Sequence, residues 1–186
     1  MKSTTNPSDD VNLIFKLAYY PDKHLRQRTE FVTDFTDIPK LVDAMFQTML
    51  LNDGIGLAAN QCKLSQRLFV MRTQKIRRAF INPELIFYED ETHLVLAQDE
   101  TCLSFPGVVV KVPRHQRVMV RAQDINGNES YTPLDGLEAI CAQHEMDHLD
   151  GKTFVDQMGR LKRMIAESTV KRFLKDPTCL KQRKRL

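Results

Sequence analysis

The feature that most constrains this chain is the pentapeptide 144–148, an HExxH pattern that lies in a segment of helical periodicity. Residues four apart lie one turn apart on the same face of a helix, so the imidazoles of His144 and His148 can bind one metal ion. Glu145 lies beside them, where its carboxylate can exchange protons with a water molecule on that metal. We expect the helix to run from a cap at Asp135 to about Leu149 and to stop at Gly151.

The surrounding residues favour a metal site over an exposed helix that carries the pattern by chance. Leu137, Ile140 and Cys141 make the same side of the helix apolar, and polar groups that face a core without a partner are costly. A hydrolytic metal also needs a third protein ligand and one open position. Two cysteines compete for that role: Cys141, three residues before the first histidine, and Cys102, which follows a strand-rich stretch.

Cysteine usage predicts a reducing compartment. The 4 cysteines lie far apart, with no close pair, in a chain long enough to fold without disulfides. Cys62 and Cys179 are interpreted as small buried apolar residues. The sequence has no apolar run of about 18 residues and no secretory or transit signal at its start, so we expect a cytoplasmic protein without membrane association.

Hydrophobic periodicity predicts an α+β fold made of antiparallel strands, hairpins and helices. One helix is predicted over Pro39–Leu51, with Asp37 as its cap and Gly54 as its stop, and another over about Arg160–Leu174. Short strands are predicted at Leu13–Phe15, Leu68–Met71, Leu94–Leu96, Val108–Val110 and, before the turn Asn126-Gly127, Arg117–Ala122.

Charge is distributed unevenly along the chain. Residues 160–186 hold 10 Lys and Arg against 2 Asp and Glu, whereas residues 1–159 hold 17 against 22. This basic end predicts either contact with an acidic partner such as RNA or simple solvation. We expect a flexible N-terminal extension over residues 1–12, one catalytic domain over 13–176 and a basic tail over 177–186.

Three segments together resemble the signature motifs of peptide deformylases: residues 54–61 (GIGLAANQ), 100–104 (ETCLS) and 143–148 (QHEMDH). The resemblance covers nearly the whole chain and is closest to the bacterial type 1 branch. It implies sheets, antiparallel or mixed, packed around the HExxH helix, with a further helix at the C-terminal end. It also implies removal of the formyl group from N-formyl-methionyl nascent peptides.

The resemblance assigns a role to each matching residue. Cys102, His144 and His148 are the expected metal ligands, Glu145 the acid/base, and the Gln61 amide and the Leu103 backbone N–H the donors to the formyl oxygen. The substrate-binding residues that it implies are Ile55, Gly56, Thr101, Leu137, Ile140 and Cys141. Fe(II) is the expected metal, and Zn(II), Ni(II) and Co(II) also suit the ligand set.

Two residues depart from the family pattern. Thr101 replaces the usual glycine before the ligand cysteine, and its side chain is expected to narrow the cleft or to alter the backbone if glycine's conformational freedom is needed. Val109 replaces an arginine common near the mouth of the site.

Two alternative functions follow: a metal-stabilised binding protein that Thr101 has impaired, and a zinc endopeptidase, which HExxH alone fits equally well. For RNA contact at the ribosome, the candidates are Lys181, Arg183, Lys184 and Arg185.

Overall fold

The computed structural model describes residues 13–89, 94–96 and 99–177 of the 186-residue chain, with 94–96 as backbone only. It contains three α-helices: α1 (Ile38–Leu51), α2 (Gly136–Leu149) and α3 (Arg160–Lys175). Its nine strands are β1 (Gly56–Ala58), β2 (Leu68–Arg72), β3 (Arg77–Ile86), β4 (Leu94–Leu96), β5 (Glu100–Thr101), β6 (Val109–Val110), β7 (Pro113–His115), β8 (Arg117–Gln123) and β9 (Glu129–Asp135). None of the helices in these ranges is long and apolar enough to cross a membrane.

Five strands form the main sheet, in the order β1-β2-β3-β8-β9, and the pairs β4-β7 and β5-β6 form two small ribbons. Every pairing between these strands is antiparallel. The structure is therefore α+β, as predicted, and the hairpin at Asn126-Gly127 joins β8 to β9.

The main sheet lies between α1 and α2. Side chains alternate along β2: Leu68 and Val70 pack in one apolar cluster with residues of α1, whereas Phe69 and Met71 pack in another with residues of α2. A third cluster joins α3, through Ala166 and Val170, to the loop that follows β5. The helix that carries the HExxH pattern is thus held in the centre of the structure.

The helices begin and end close to the predicted residues. Gly151 follows α2 with a φ of 72° and donates its N–H to the His148 carbonyl, as a terminating glycine does. Neither Asp37 nor Asp135 caps its helix with a side-chain hydrogen bond. Asp135 forms an ion pair with Lys75 instead.

One local prediction is wrong and two are only partly right. Residues 13–15 form no strand, and the Phe15 N–H donates to the Thr48 hydroxyl on α1. Val108 lies outside β6 and is buried in the third apolar cluster. Gly54 does not end α1, which stops at Leu51, although the Gly54 N–H bonds back to the Met49 carbonyl. The extension 1–12, Cys179 and most of the tail 177–186 lie outside the described residues, and the predicted domain boundaries stay predictions.

Candidate metal centre and substrate pocket

Three buried side chains converge beside α2. The Cys102 thiol and the ring nitrogens of His144 and His148 lie within 4.8 Å of one another, and Cys102 Sγ is 3.2 Å from His148 Nε2. The histidines lie on one helical face, while Cys102 directly follows β5. Cys141, the competing cysteine, is not part of this group, and Cys62 is buried in the core.

A buried ion network holds the first histidine. His144 Nδ1 is 2.6 Å from Glu100 Oε1, which leaves the other ring nitrogen for the cluster. Arg114 on β7 donates to Glu100 at 2.9 Å and to Asp147 at 2.7 Å. Hydrogen bonds of this kind fix the orientation of metal-binding histidines. Burial lowers the His144 pKa, but the neighbouring Cys102 and Glu100 outweigh it and raise that pKa well above its usual value.

The second histidine is held through its backbone. The Asn60 side-chain amide donates to the His148 carbonyl and so connects α2 to the turn that follows β1. Burial lowers the pKa of the His148 ring well below its usual value, which favours the neutral imidazole that binds metals.

Glu145 projects beside the cluster from the same helix. The residue is buried, and burial raises its carboxyl pKa to about 7. Glu145 Oε2 has no hydrogen-bond partner among the described residues. A buried carboxyl group with a free oxygen and a pKa near neutrality can both accept and donate a proton at physiological pH.

Gln61 is oriented by two polar contacts. Its side-chain oxygen accepts the Ala58 N–H at 2.8 Å, which turns the amide nitrogen towards Ser104 Oγ at 3.1 Å and Cys102 Sγ at 3.5 Å. The Gln61 amide is thus directed at the thiol, and the Leu103 N–H has no backbone acceptor among the described residues.

A pocket of about 230 Å³ opens beside these groups. Its walls include Asp53, Gly54, Ile55, Gly56, Gln61, Asp99, Glu100, Thr101, Cys102, Leu103, Leu137, Ile140, Cys141, His144 and Glu145. Every predicted site residue except His148 lines it, and His148 contacts Cys102, which does line it. Ile55 and Leu137 are 42% and 54% exposed, so apolar side chains stand at the pocket mouth.

Sequence reasoning missed the groups that hold this site in place. Glu100, Arg114, Asn60 and Ser104 occur in or near the recognised motifs but received no role. Metal-binding histidines usually have a hydrogen-bonded partner such as a carboxylate. Glu100, two residues before the cysteine, could have been predicted as that partner. No comparable signal points to Arg114, because its contacts depend on how β5 and β7 meet α2.

Known peptide deformylases are similar to this chain. The polypeptide deformylase family profile matches residues 14–164. Peptide deformylase 1 of Shewanella oneidensis is 43% identical over 154 residues, which cover 81% of this chain and 89% of the relative. Peptide deformylase of Chromobacterium violaceum is 39% identical over 163 residues, which cover 86% and 95%.

Solved structures show the same fold. A peptide deformylase from Legionella pneumophila superimposes with a TM-score of 0.80 at 36% identity, covering 89% of this chain and 98% of its own. A deformylase from Ehrlichia chaffeensis in complex with actinonin gives a TM-score of 0.80 at 37% identity, covering 86% and 96%. By sequence and by structure, this chain belongs to the polypeptide deformylase family.

Proposed function

We propose that this chain removes the formyl group from the N-terminal formyl-methionine of nascent polypeptides. Family membership makes it a formyl-removing metallohydrolase. Water adds to the formyl carbon, the amide C–N bond breaks, and formate and a free amine leave. The roles of individual residues are supported by one observation: Cys102, His144 and His148 converge beside Glu145.

Cys102, His144 and His148 would hold the single catalytic metal. One thiol and two imidazoles are a donor set typical of transition metals. Glu145, which has a carboxylate oxygen without a partner among the described residues, lines the same pocket as Cys102 and His144. When bound, such a metal lowers the pKa of water towards neutrality and thereby supplies a nucleophile for the formyl carbon. We propose Fe(II) as the native ion, with Zn(II), Ni(II) and Co(II) also compatible with these ligands.

Glu145 transfers the protons in this mechanism. Its free carboxylate oxygen accepts a proton from the attacking water and later delivers one to the leaving amine. The raised pKa of this carboxyl group suits both steps, since the group must hold the proton between them.

Gln61 and Leu103 stabilise the oxygen that becomes negative during attack. The Gln61 amide is already turned towards Cys102, and the Leu103 N–H is available on the next residue of the chain. Each oriented donor of this kind contributes about 3 kcal/mol to transition-state stabilisation in other hydrolases.

The pocket walls favour an extended peptide that begins with an apolar side chain. Among the strands of the described residues, β1 lies at an edge of the main sheet and β5 pairs with β6 alone. The backbones of Ile55, Gly56 and Thr101 therefore offer two strand edges between which a substrate can add as a strand. The methionine side chain would lie against Ile55, Leu137, Ile140 and Cys141.

The two alternative functions are less well supported. An endopeptidase leaves the Cys102 ligand and the oriented Gln61 amide without explanation. An impaired binding protein requires that Thr101 disturb the site, yet Thr101 is not among the residues with positive φ, and the pocket beside it is open. A threonine adopts this extended backbone without strain.

Formate release from formyl-Met-Ala-Ser tests the proposal, with protein purified without oxygen and loaded with Fe(II) or Ni(II). Glu145→Gln keeps the size of the side chain but cannot transfer the proton, so we expect the rate to fall by about 10² to 10⁴. Glu138→Gln is the matched control, because Glu138 is a buried glutamate on the same helix whose partners are Thr73 and Lys75. Stoichiometric metal binding without formate release, or equal loss in both variants, would contradict the assignment.

We further propose that the basic C-terminal end contacts ribosomal RNA in the cytoplasm of a bacterium. The bacterial relatives support the location. Residues 160–186 hold 10 basic and 2 acidic residues, which supports contact with RNA. Lys181, Arg183, Lys184 and Arg185 lie outside the described residues. Deletion of residues 177–186 should weaken ribosome binding and flatten its salt dependence; unchanged sedimentation with ribosomes would refute the proposal.

A further inference from the structure

A second groove, of about 830 Å³, lies between β6 and the start of α3 and is larger than the substrate pocket. Part of its surface is apolar: Val109, Leu161 and Ile165 are 56%, 71% and 58% exposed and all line it. Exposed apolar side chains that line one concave surface are typical of a binding site for another molecule.

Within the part of the chain that the structure describes, the charged residues of the groove are all cationic: Lys111, Arg160 and Lys162 line it, and no acidic residue does. None of the three forms an ion pair with another residue in the described ranges. Their charges are thus available to an acidic ligand that covers the apolar surface.

The groove adjoins the candidate active site across a single pair of strands. Thr101 lines the substrate pocket, Val109 lines the groove, and the two residues are directly paired between β5 and β6. Neighbouring strands lie about 5 Å apart, so a substrate strand on the free edge of β5 lies about 10 Å from β6, and an extended chain advances about 3.3 Å per residue. A peptide that leaves the pocket past Thr101 therefore reaches the groove within about four residues.

We propose that this groove binds the substrate polypeptide downstream of its formyl-methionine and selects acidic residues there. The inference rests on the proposed function, because it needs a formylated peptide in the adjoining pocket. The apolar surface and the continuity with that pocket favour a polypeptide over RNA, whose phosphates need cations but not apolar side chains. Lys111, Arg160 and Lys162 are then specificity-determining residues, and they take no part in the chemical step.

Three substrates test the proposal: formyl-Met-Ala-Ser, and the same peptide extended by four glutamates or by four lysines. At low ionic strength, we expect kcat/KM for the glutamate extension to exceed that for the lysine extension by about tenfold, since each exposed charge pair contributes only modestly. The preference should shrink as salt is added.

The double variant Lys111→Glu/Lys162→Glu should abolish or reverse the preference while turnover of formyl-Met-Ala-Ser stays unchanged. The control is Lys171→Glu/Lys175→Glu, which makes the same charge change on α3 at residues that do not line the groove. The control should retain the preference. Equal loss in both variants would show that the general field of the protein is responsible and would overturn the proposal.

Other outcomes also separate the hypotheses. The groove assignment is refuted if the unmodified chain shows no preference for the glutamate extension, or if the groove variant keeps that preference. In both cases, turnover of the short peptide still supports the proposed function. No turnover of the short peptide refutes the proposed function itself. The groove would be assigned to RNA instead if the groove variant, but not the control variant, lost binding of single-stranded RNA while its peptide preference stayed intact.

Discussion

Residue 101 shows how one side chain can be tolerated at a position where the family pattern has glycine. Thr101 belongs to β5, and its φ is not positive, so the backbone has no need of glycine's freedom. We expect Thr101→Gly to leave kcat/KM for formyl-Met-Ala-Ser unchanged and to lower the free energy of unfolding by about 0.5–1 kcal/mol. Formate release and urea denaturation measure the two effects. A large gain in activity would show that threonine obstructs the cleft.

Gly56 is a position where even one methyl group is expected to disturb the site. A Cβ on Gly56 would lie 2.6 Å from Cys141 Sγ and in contact with the Glu145 carboxylate. Both neighbours line the pocket, so a shift of either one changes the geometry of the reaction. We expect Gly56→Ala to reduce kcat by about 100-fold, the effect of a displacement near 1 Å.

Gly159 supplies the control for this prediction. A Cβ there would meet no atom within 4 Å, so Gly159→Ala should leave formate release close to that of the unmodified protein. Circular dichroism of both variants checks that the fold persists. If Gly56→Ala retained full activity, the close approach of β1 to α2 would not be needed for Glu145 to work.

At the scale of elements, sequence patterns predicted the helices better than the strands. Helical periodicity and terminating residues are local, and α1, α2 and α3 begin and end within one residue of their predicted bounds. β1, β5 and β7 have three residues or fewer and no alternation of their own. They exist because distant strands pair with them, which no local pattern reports.

β3 was missed for a different reason. It contains Pro83, and Asn82 has a φ of 50°, both of which break a regular strand pattern. The pairing with β8 accordingly shifts register between Ile81 and Glu84. Asn82 uses this bend to bond Val32 and Gln123, so the irregularity ties a loop to the sheet.

The candidate site was predictable only where its spacing is local. His144, Glu145 and His148 follow from the period of one helix. The choice between Cys102 and Cys141 does not, because it depends on how β5 and its loop pack against α2. The resemblance to deformylases favoured Cys102, and the structure places that thiol beside both histidines.

The ion network of Arg114 joins three elements: β5 through Glu100, β7 through its own backbone, and α2 through Asp147. Arg114 and Glu100 are both buried. We expect Arg114→Met to lower the free energy of unfolding by up to about 3–5 kcal/mol, because the buried Glu100 charge loses one of its two partners and keeps only His144. Denaturant titration measures the change.

Arg121→Met provides the comparison, since Arg121 forms ion pairs with Glu84 and Glu129 on the exposed surface of the sheet. Solvent already screens these charges, so the loss should be much smaller. Similar losses in the two variants would mean that burial of the Arg114 network contributes little to stability.

At the scale of the whole molecule, the proposed metal ligands come from segments far apart in the chain. Cys102 follows the β5 strand, whereas His144 and His148 belong to α2, so a bound metal cross-links two parts of the fold. Anything that binds only the folded state stabilises it, by about 4 kcal/mol at a free concentration of 1,000 Kd. Metal removal is therefore expected to affect the stability of the entire chain as well as its activity.

Thermal unfolding with and without a chelator tests this expectation. We expect the chelator to lower the Tm of the unmodified protein. The Cys102→Ala variant should have a low Tm from the start, and the chelator should not lower it further. Cys62→Ala is the matched control: Cys62 is a buried cysteine in the core cluster around α1, outside the metal group. Its Tm should fall because a buried side chain is shortened, yet the chelator should lower it further by the same amount as in the unmodified protein. A chelator effect that persisted in Cys102→Ala would place the stabilising metal elsewhere in the chain.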